Sequence, residues 1–239
     1  MTQPSFFDIV GFGPDGWGGI LLAGALMTIA VAICGMILGL IIGTLGAWAK
    51  VSGGPVVRGL AEAYTSILRG VPDLLVIFLV YFGGSAVLTN ISSLSGNTGF
   101  VSFPGFIAGF LAVGVTSGAL NIGVLRGGLK AVHPGELEAA HAFGMSRMLR
   151  FRRIVAPLVL RHAIPGLGNS WLNVIKESSL LSVTGVAELL RQAQVGAGST
   201  NRPFDFYIAA AVIYVAIAAL SGLFVLFAER HYSRGTRRL

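Results

Sequence analysis

Uncharged apolar runs alternate with short polar segments along this chain. Four runs contain no Asp, Glu, Lys or Arg, and they cover residues 16–49, 74–88, 103–125 and 206–228. A fifth run, 167–190, is weaker because it contains Lys176 and Glu177. Since a helix of about 20 apolar residues crosses a bilayer, the pattern predicts an all-α polytopic membrane protein with about five transmembrane helices.

Composition agrees with the membrane class and favours one domain over residues 1–239. Of the 239 residues, 54% are hydrophobic and 11% are charged, whereas a soluble domain carries about 25% charged residues. The one cysteine, Cys34, lies inside the first apolar run. A disulfide framework or a cysteine metal site is therefore not expected.

The basic residues between the runs predict the orientation. If the N-terminus is outside, the cytoplasmic side receives most of them, namely Lys50, Arg58, Arg69, Arg126, Lys130, the stretch 133–166 and the tail 229–239. The outer side receives Arg191 and Arg202. The positive-inside rule then predicts a multi-pass inner-membrane protein with an outer N-terminus and a cytoplasmic C-terminus. The net charge of +7 is explained by this topology, without a nucleic-acid partner.

The most polar stretch, residues 133–166, predicts two short cytoplasmic helices joined by a turn. Pro134 suits the first turn of a helix, and residues 138–143 continue it. Gly144 can adopt the left-handed conformation that ends a helix. This arrangement suggests a lever that docks on a soluble partner.

The second helix of this stretch is predicted over residues 147–155. Ser146 is a suitable N-cap, and Pro157 is expected to end the helix. An ordinary cytoplasmic loop whose arginines only set the topology remains the alternative on pattern alone.

At these residues the sequence resembles a known family. Glu138-Ala139-Ala140, three residues, Gly144, nine residues and then Ile154-Val155-Ala156-Pro157 resembles the EAA loop of bacterial ABC-importer permeases, although Ala156 stands where that consensus has Leu. Other segments resemble motifs of the polar amino-acid permeases, namely 66–72, 126–128, 167–169, 176–180 and 202–204. The resemblance is strongest to permeases for histidine, for lysine, arginine and ornithine, and for opines such as octopine and nopaline.

The resemblance implies a type I importer fold and an assembly of several chains. A second, similar permease subunit, two ATP-binding subunits and a periplasmic or lipid-anchored binding protein are expected as partners, with a polar amino acid as substrate. ATP and Mg would be bound by the partners, since this chain contains no Gly-x-x-x-x-Gly-Lys-Ser/Thr loop. The implied ATPase-coupling residues are Glu138, Ala139, Ala140, His141, Phe143, Gly144, Ser146 and Pro157.

Polar residues inside the apolar runs are candidates for the substrate path. Glu177 would suit a cationic ligand group, and the alternative is a structural ion pair. Ser117 and Asn121 share one helix face, where they would either bind substrate or join helices. The candidate set for the path is Ser117, Asn121, Asn169, Glu177 and Ser178.

One departure from the resemblance concerns specificity. Related amino-acid permeases commonly carry Glu three residues before the Arg of the Arg-Gly segment, where this chain has Gly123. A contact to a cationic side chain would then be missing. A basic amino acid or opine is favoured, and an uncharged polar amino acid such as glutamine remains possible.

Two other function classes have less support in the sequence than a transporter. A membrane-embedded enzyme would need clustered catalytic groups, but Asp8, Asp15, Asp73 and Asp205 are isolated in the sequence. A zinc site at His133 or His162 lacks a surrounding ligand set. A non-transporting scaffold that recruits a soluble partner is the remaining alternative.

Overall fold

The computed structural model describes residues 5–13, 16–94, 96 and 99–232, and every regular element within them is helical. The α-helices are α1 (Phe6–Val10), α2 (Gly18–Ser52), α3 (Pro55–Gly70), α4 (Asp73–Leu94), α5 (Gly105–Ala131), α6 (Pro134–Ala142), α7 (Arg147–Arg150), α8 (Ala156–Glu177), α9 (Leu189–Thr200) and α10 (Pro203–Tyr232). A π turn (Phe151–Val155) joins α7 to α8, and a 3₁₀ helix (Ser178–Thr184) follows α8. Asp15 and the tail beyond residue 232 lie outside the described residues.

Within the described residues, four helices are long and apolar enough to cross a membrane: α2, α4, α5 and α10. They correspond to the four uncharged runs, each extended by a few residues at one or both ends. The fifth predicted segment, α8, has 22 residues but carries Arg161, Lys176 and Glu177. The prediction of an all-helical polytopic protein is therefore confirmed, with α8 as its polar member.

Helix α5 is the centre of the fold and packs against α2, α3, α4 and α8. Its closest neighbour is α2, which turns Gly35, Gly39 and Gly43 towards it. A Cβ on Gly35 would lie 3.0 Å from Val113 Cγ1 on α5. Small residues four apart let two membrane helices approach this closely, so they explain the tight α2–α5 contact.

Two predicted boundaries near the polar stretch are wrong. Pro157 does not end a helix, because it sits in the first turn of α8 and the chain stays helical from Arg147 to Glu177. The π turn just before α8 has wider, i to i+5 hydrogen bonding, which accommodates a proline that lacks an N–H donor. The predicted run 167–190 is likewise divided, since α8 begins at Ala156 and ends at Glu177.

Two segments between the apolar runs are also partly helical. The segment 89–102 begins with the end of α4, which continues to Leu94. The segment 191–203 contains most of α9, which Glu188 caps by accepting hydrogen bonds from the backbone N–H groups of Leu190 at 2.8 Å and Arg191 at 2.7 Å. Glu188 is fully buried, so its carboxylate caps the first N–H groups of α9 inside the protein.

The packing of α9 on α10 closes the bundle on this side. Phe206 of α10 is fully buried and packs edge-on against Trp17, with ring centroids 5.4 Å apart. Tyr214 Oη donates a hydrogen bond of 2.9 Å to Glu188 Oε2. Apolar and polar contacts together therefore hold α10 against α9 and the start of α2.

Candidate functional site: a lever and two polar chambers

The predicted turn between two short helices is present. Gly144 has φ +70°, in the left-handed region, and its N–H donates to His141 O at 2.9 Å. Ser146 then caps α7, since its Oγ accepts a hydrogen bond of 3.3 Å from Leu149 N–H. The helices α6 and α7 with this turn form the lever, residues 133–150.

Capping also fixes the start of the lever. His133 Nδ1 accepts a hydrogen bond of 3.2 Å from Gly135 N–H, and its own N–H donates to Glu136 Oε2 at 3.3 Å. His133 therefore acts as an N-cap in this structure. Among the residues that the structure describes, no group of His, Cys, Asp and Glu could hold a metal ion.

The outer surface of the lever is apolar as well as basic. Phe143 is 83% exposed and Met148 is 67% exposed. Glu138, Ala139, His141 and Ser146 are exposed too, whereas Ala140 is buried. Two large, mostly exposed apolar side chains on one short polar segment suit a protein-binding surface.

An acidic chamber lies where α3, α4, α5 and α8 meet. It is a cavity of about 370 Å³, lined by Leu68, Arg69, Val71, Pro72, Asp73, Thr116, Leu120 and Glu177. Glu177 Oε2 is buried there without a hydrogen-bond partner among the described residues. Neither Glu177 nor Lys176 forms an ion pair with any residue that the structure describes. The alternative of a structural ion pair therefore gains no support. Lys176 instead lines a separate, mainly apolar groove.

A second chamber, the amide chamber, adjoins the first. Its volume is about 650 Å³, and it is lined by Arg69, Leu120, Gly123, Val124, Gly166, Asn169, Ser170 and Asn173. Arg69 and Leu120 line both chambers. The predicted path residues Asn169 and Glu177 thus lie on neighbouring cavities, separated by a shared wall.

Three other predicted path residues lie away from both chambers. Ser117 and Asn121 are fully buried on the face of α5 that meets Gly39 and Gly43 of α2. Ser178 is also fully buried, and its Oγ donates to Ile175 O at 2.7 Å. Their contact with substrate stays a prediction, and these positions favour the alternative in which Ser117 and Asn121 join helices.

Five polar residues of the chambers were not in the candidate set from sequence. They are Arg69, Asp73, Thr116, Ser170 and Asn173. Arg69 begins the Arg-Gly-Val-Pro segment within residues 66–72 and Asp73 directly follows it, and the segment was recognised only as a motif. Ser170 and Asn173 follow Asn169 on α8 at positions one and four residues later, which places Asn169 and Asn173 on one helix face. That spacing was the available signal.

The chain is similar to permeases over nearly its whole length. The family model for the inner membrane component of binding-protein-dependent transport systems matches residues 35–238. The octopine transport system permease protein OccQ of Rhizobium radiobacter is 50% identical over 233 residues, which are 98% of each chain. The histidine/lysine/arginine/ornithine permease protein HisQ of Escherichia coli K12 is 37% identical over 223 residues, covering 93% of this chain and 97% of that one.

A solved structure agrees with the fold. The crystal structure of an amino acid ABC transporter with histidines has a chain that matches with a TM-score of 0.75 and 29% identity, covering 90% of this chain and 95% of that chain. An inner membrane component of this kind works with a binding protein and an ATPase, and ATP hydrolysis belongs to the separate subunits. The fold, the family match and the identities together show that this chain belongs to the inner membrane components of binding-protein-dependent transport systems, as a permease subunit of the polar amino-acid ABC importers.

Proposed function

We propose that this subunit carries a basic amino acid or an opine inwards across the inner membrane. The observation that carries the proposal is the acidic chamber, where Asp73 and Glu177 line one cavity and Glu177 Oε2 has no partner among the described residues. A carboxylate in a confined, partly dry cavity attracts a guanidinium or ammonium group strongly. Relatives named for octopine and for histidine, lysine, arginine and ornithine support the same ligand class.

The proposed assembly contains a second permease chain that is similar but different, two ATP-binding subunits and a periplasmic or lipid-anchored binding protein. The N-terminus lies outside and the lever lies in the cytoplasm, where it docks on an ATP-binding subunit. ATP and Mg are bound by those subunits. The exposed Phe143 and Met148 supply apolar anchors for the contact, and aromatic anchors commonly dominate such interfaces.

The lever is connected to the acidic chamber by helix. From Arg147 the chain runs through the π turn and α8 to Glu177 without a break. When the ATP-binding subunits close, displacement of the lever is transmitted along this run to the chamber.

An uncharged ligand such as glutamine is the second candidate, since Gly123 leaves the amide chamber without an acid.

The experiment is ATP hydrolysis by the assembled complex in lipid nanodiscs. The proposal predicts that binding protein loaded with octopine or arginine stimulates hydrolysis, while unloaded binding protein stimulates it less. A complex that assembles but hydrolyses ATP at one rate with loaded, unloaded or no binding protein would support the scaffold alternative. Stimulation by glutamine-loaded protein alone would support the uncharged ligand.

A further inference from the structure

The guanidinium group of Arg69 lies on the wall between the two chambers. Arg69 lies in the last turn of α3, and its Nη2 donates a hydrogen bond of 3.3 Å to Ala119 O on α5. The same nitrogen lies 2.5 Å from where a Cβ on Gly123 would stand. The absent side chain at Gly123 is therefore what makes room for the guanidinium.

The guanidinium of Arg69 forms no ion pair with any residue that the structure describes. Asp73 and Glu177 line the acidic chamber with it but lie beyond ion-pair distance. The hydrogen bond from Arg69 to Ala119 O uses one of the five N–H donors of the guanidinium. The planar fork of an arginine matches a carboxylate with two parallel hydrogen bonds. The remaining donors thus favour a carboxylate as the missing partner.

The amide chamber offers further groups for the same ligand atoms. Asn169 and Asn173 each bring amide N–H donors to its lining. Ser170 is 3% exposed, and its Oγ has no hydrogen-bond partner among the described residues. A buried hydroxyl without a partner is costly, and a ligand carboxylate that accepts its proton would remove that cost.

We propose that the amide chamber is a carboxylate subsite, formed by Arg69 with Asn169, Ser170 and Asn173. It complements the acidic chamber across the shared wall, and this inference rests on the proposed function. The ligand is then held in one orientation, with its cationic group at Asp73 and Glu177 and a carboxylate at Arg69. The subsite selects amino acids and their N-carboxyalkyl derivatives over amines that lack a carboxylate.

The test is direct ligand binding to the purified permease–ATPase complex without its binding protein, which removes the selectivity of that protein. The probes are radiolabelled arginine, octopine and agmatine, which is arginine without its carboxylate. Arg69→Gln should weaken binding of arginine or octopine about 10-fold or more, as expected for loss of a charged hydrogen bond. Agmatine binding should stay unchanged or increase, since the cationic chamber is intact. Arg58→Gln, an exposed arginine of the same helix, is the matched control and should change neither.

A second variant decides the question if Arg69→Gln does not assemble. Ser170→Ala should retain full stability, because the hydroxyl has no partner, and should weaken arginine binding several-fold while agmatine binding is unchanged. Equal effects on arginine and agmatine, or none on arginine, would overturn the carboxylate subsite. A wild-type complex that binds neither arginine, octopine nor agmatine would instead contradict the proposed function.

Discussion

Ser146 and Glu177 stand near the two ends of one continuous helical run. Ser146 caps the run just before Arg147, and Glu177 is the last residue of α8. At about 1.5 Å per residue the run is roughly 45 Å long, which exceeds the hydrocarbon thickness of a bilayer of about 30 Å. A surface suited to a soluble partner and a carboxylate in a chamber are therefore linked by one unbroken helical run.

The turn of the lever should be sensitive to its backbone conformation. Gly144 has φ +70°, which proline cannot adopt because its ring fixes φ near −65°. Gly144→Pro should abolish ATP-driven uptake while membrane insertion stays normal, as measured in vesicles with equal amounts of protein. Gly144→Asn is the control, because asparagine tolerates the left-handed region, and it should retain most of the uptake. Uptake by Gly144→Pro at the wild-type rate would remove the lever from the mechanism.

The exposed aromatic ring of the lever should contribute to ATPase binding. Phe143→Ser should weaken the association with the ATP-binding subunit about 10-fold or more, the range of interface hot spots. Because Phe143 is 83% exposed, folding of the permease should be unaffected. Phe100→Ser, at a residue 70% exposed between α4 and α5, is the control and should not alter the association. Co-purification of the ATP-binding subunit measures both, and equal loss in both variants would refute the docking role.

The acidic chamber should bind the cationic group of the ligand through Glu177. Glu177→Gln keeps the shape but removes the charge, so uptake of arginine or octopine should fall about 10-fold or more. The complex should still assemble, since no ion pair is lost among the described residues. Glu62→Gln, at an exposed position on α3, should leave uptake unchanged. The measurement is the initial rate of uptake at equal amounts of protein. A wild-type rate for Glu177→Gln would leave the residue with a structural role.

Two glycines of α9 should respond in opposite ways to alanine. A Cβ on Gly196 would collide with the ring of Phe206, whereas a Cβ on Gly198 would meet nothing within 4 Å. Gly196→Ala should lower the free energy of unfolding by about 1–3 kcal/mol, as overpacking does. Gly198→Ala should raise it by about 0.5–1 kcal/mol, because alanine favours the helix. Thermal unfolding in one detergent compares them, and equal shifts would contradict the described α9–α10 packing.

The fold could be predicted from the sequence where one clear pattern determines an element. Uncharged runs predicted α2, α4, α5 and α10, because only helices of that length satisfy their backbone groups in lipid. Gly144 and Ser146 predicted the turn and the second helix of the lever. Pro157 misled, because proline is compatible with the first turn of a helix and the π turn before it is not visible as a pattern.

The interior sites were harder to predict, because helix rotation decides which face meets a cavity. Ser117 and Asn121 share a face as expected, but that face packs against Gly39 and Gly43 of α2 and not against a cavity. The four-residue glycine spacing on α2 was the signal for this contact. The position of the Arg69 side chain could not be predicted from sequence. It depends on the space left by the missing side chain of Gly123 and on the way α3 meets the neighbouring helices.

The most direct test of the account is ATP-driven uptake by the complete importer in sealed lipid vesicles. The vesicles carry the permease pair and the ATP-binding subunits, with binding protein outside and ATP inside, and radiolabelled arginine or octopine as the ligand. We expect accumulation that requires ATP and binding protein and is lost in Gly144→Pro. Absence of accumulation with ATP hydrolysis intact, or equal accumulation without ATP, would contradict it.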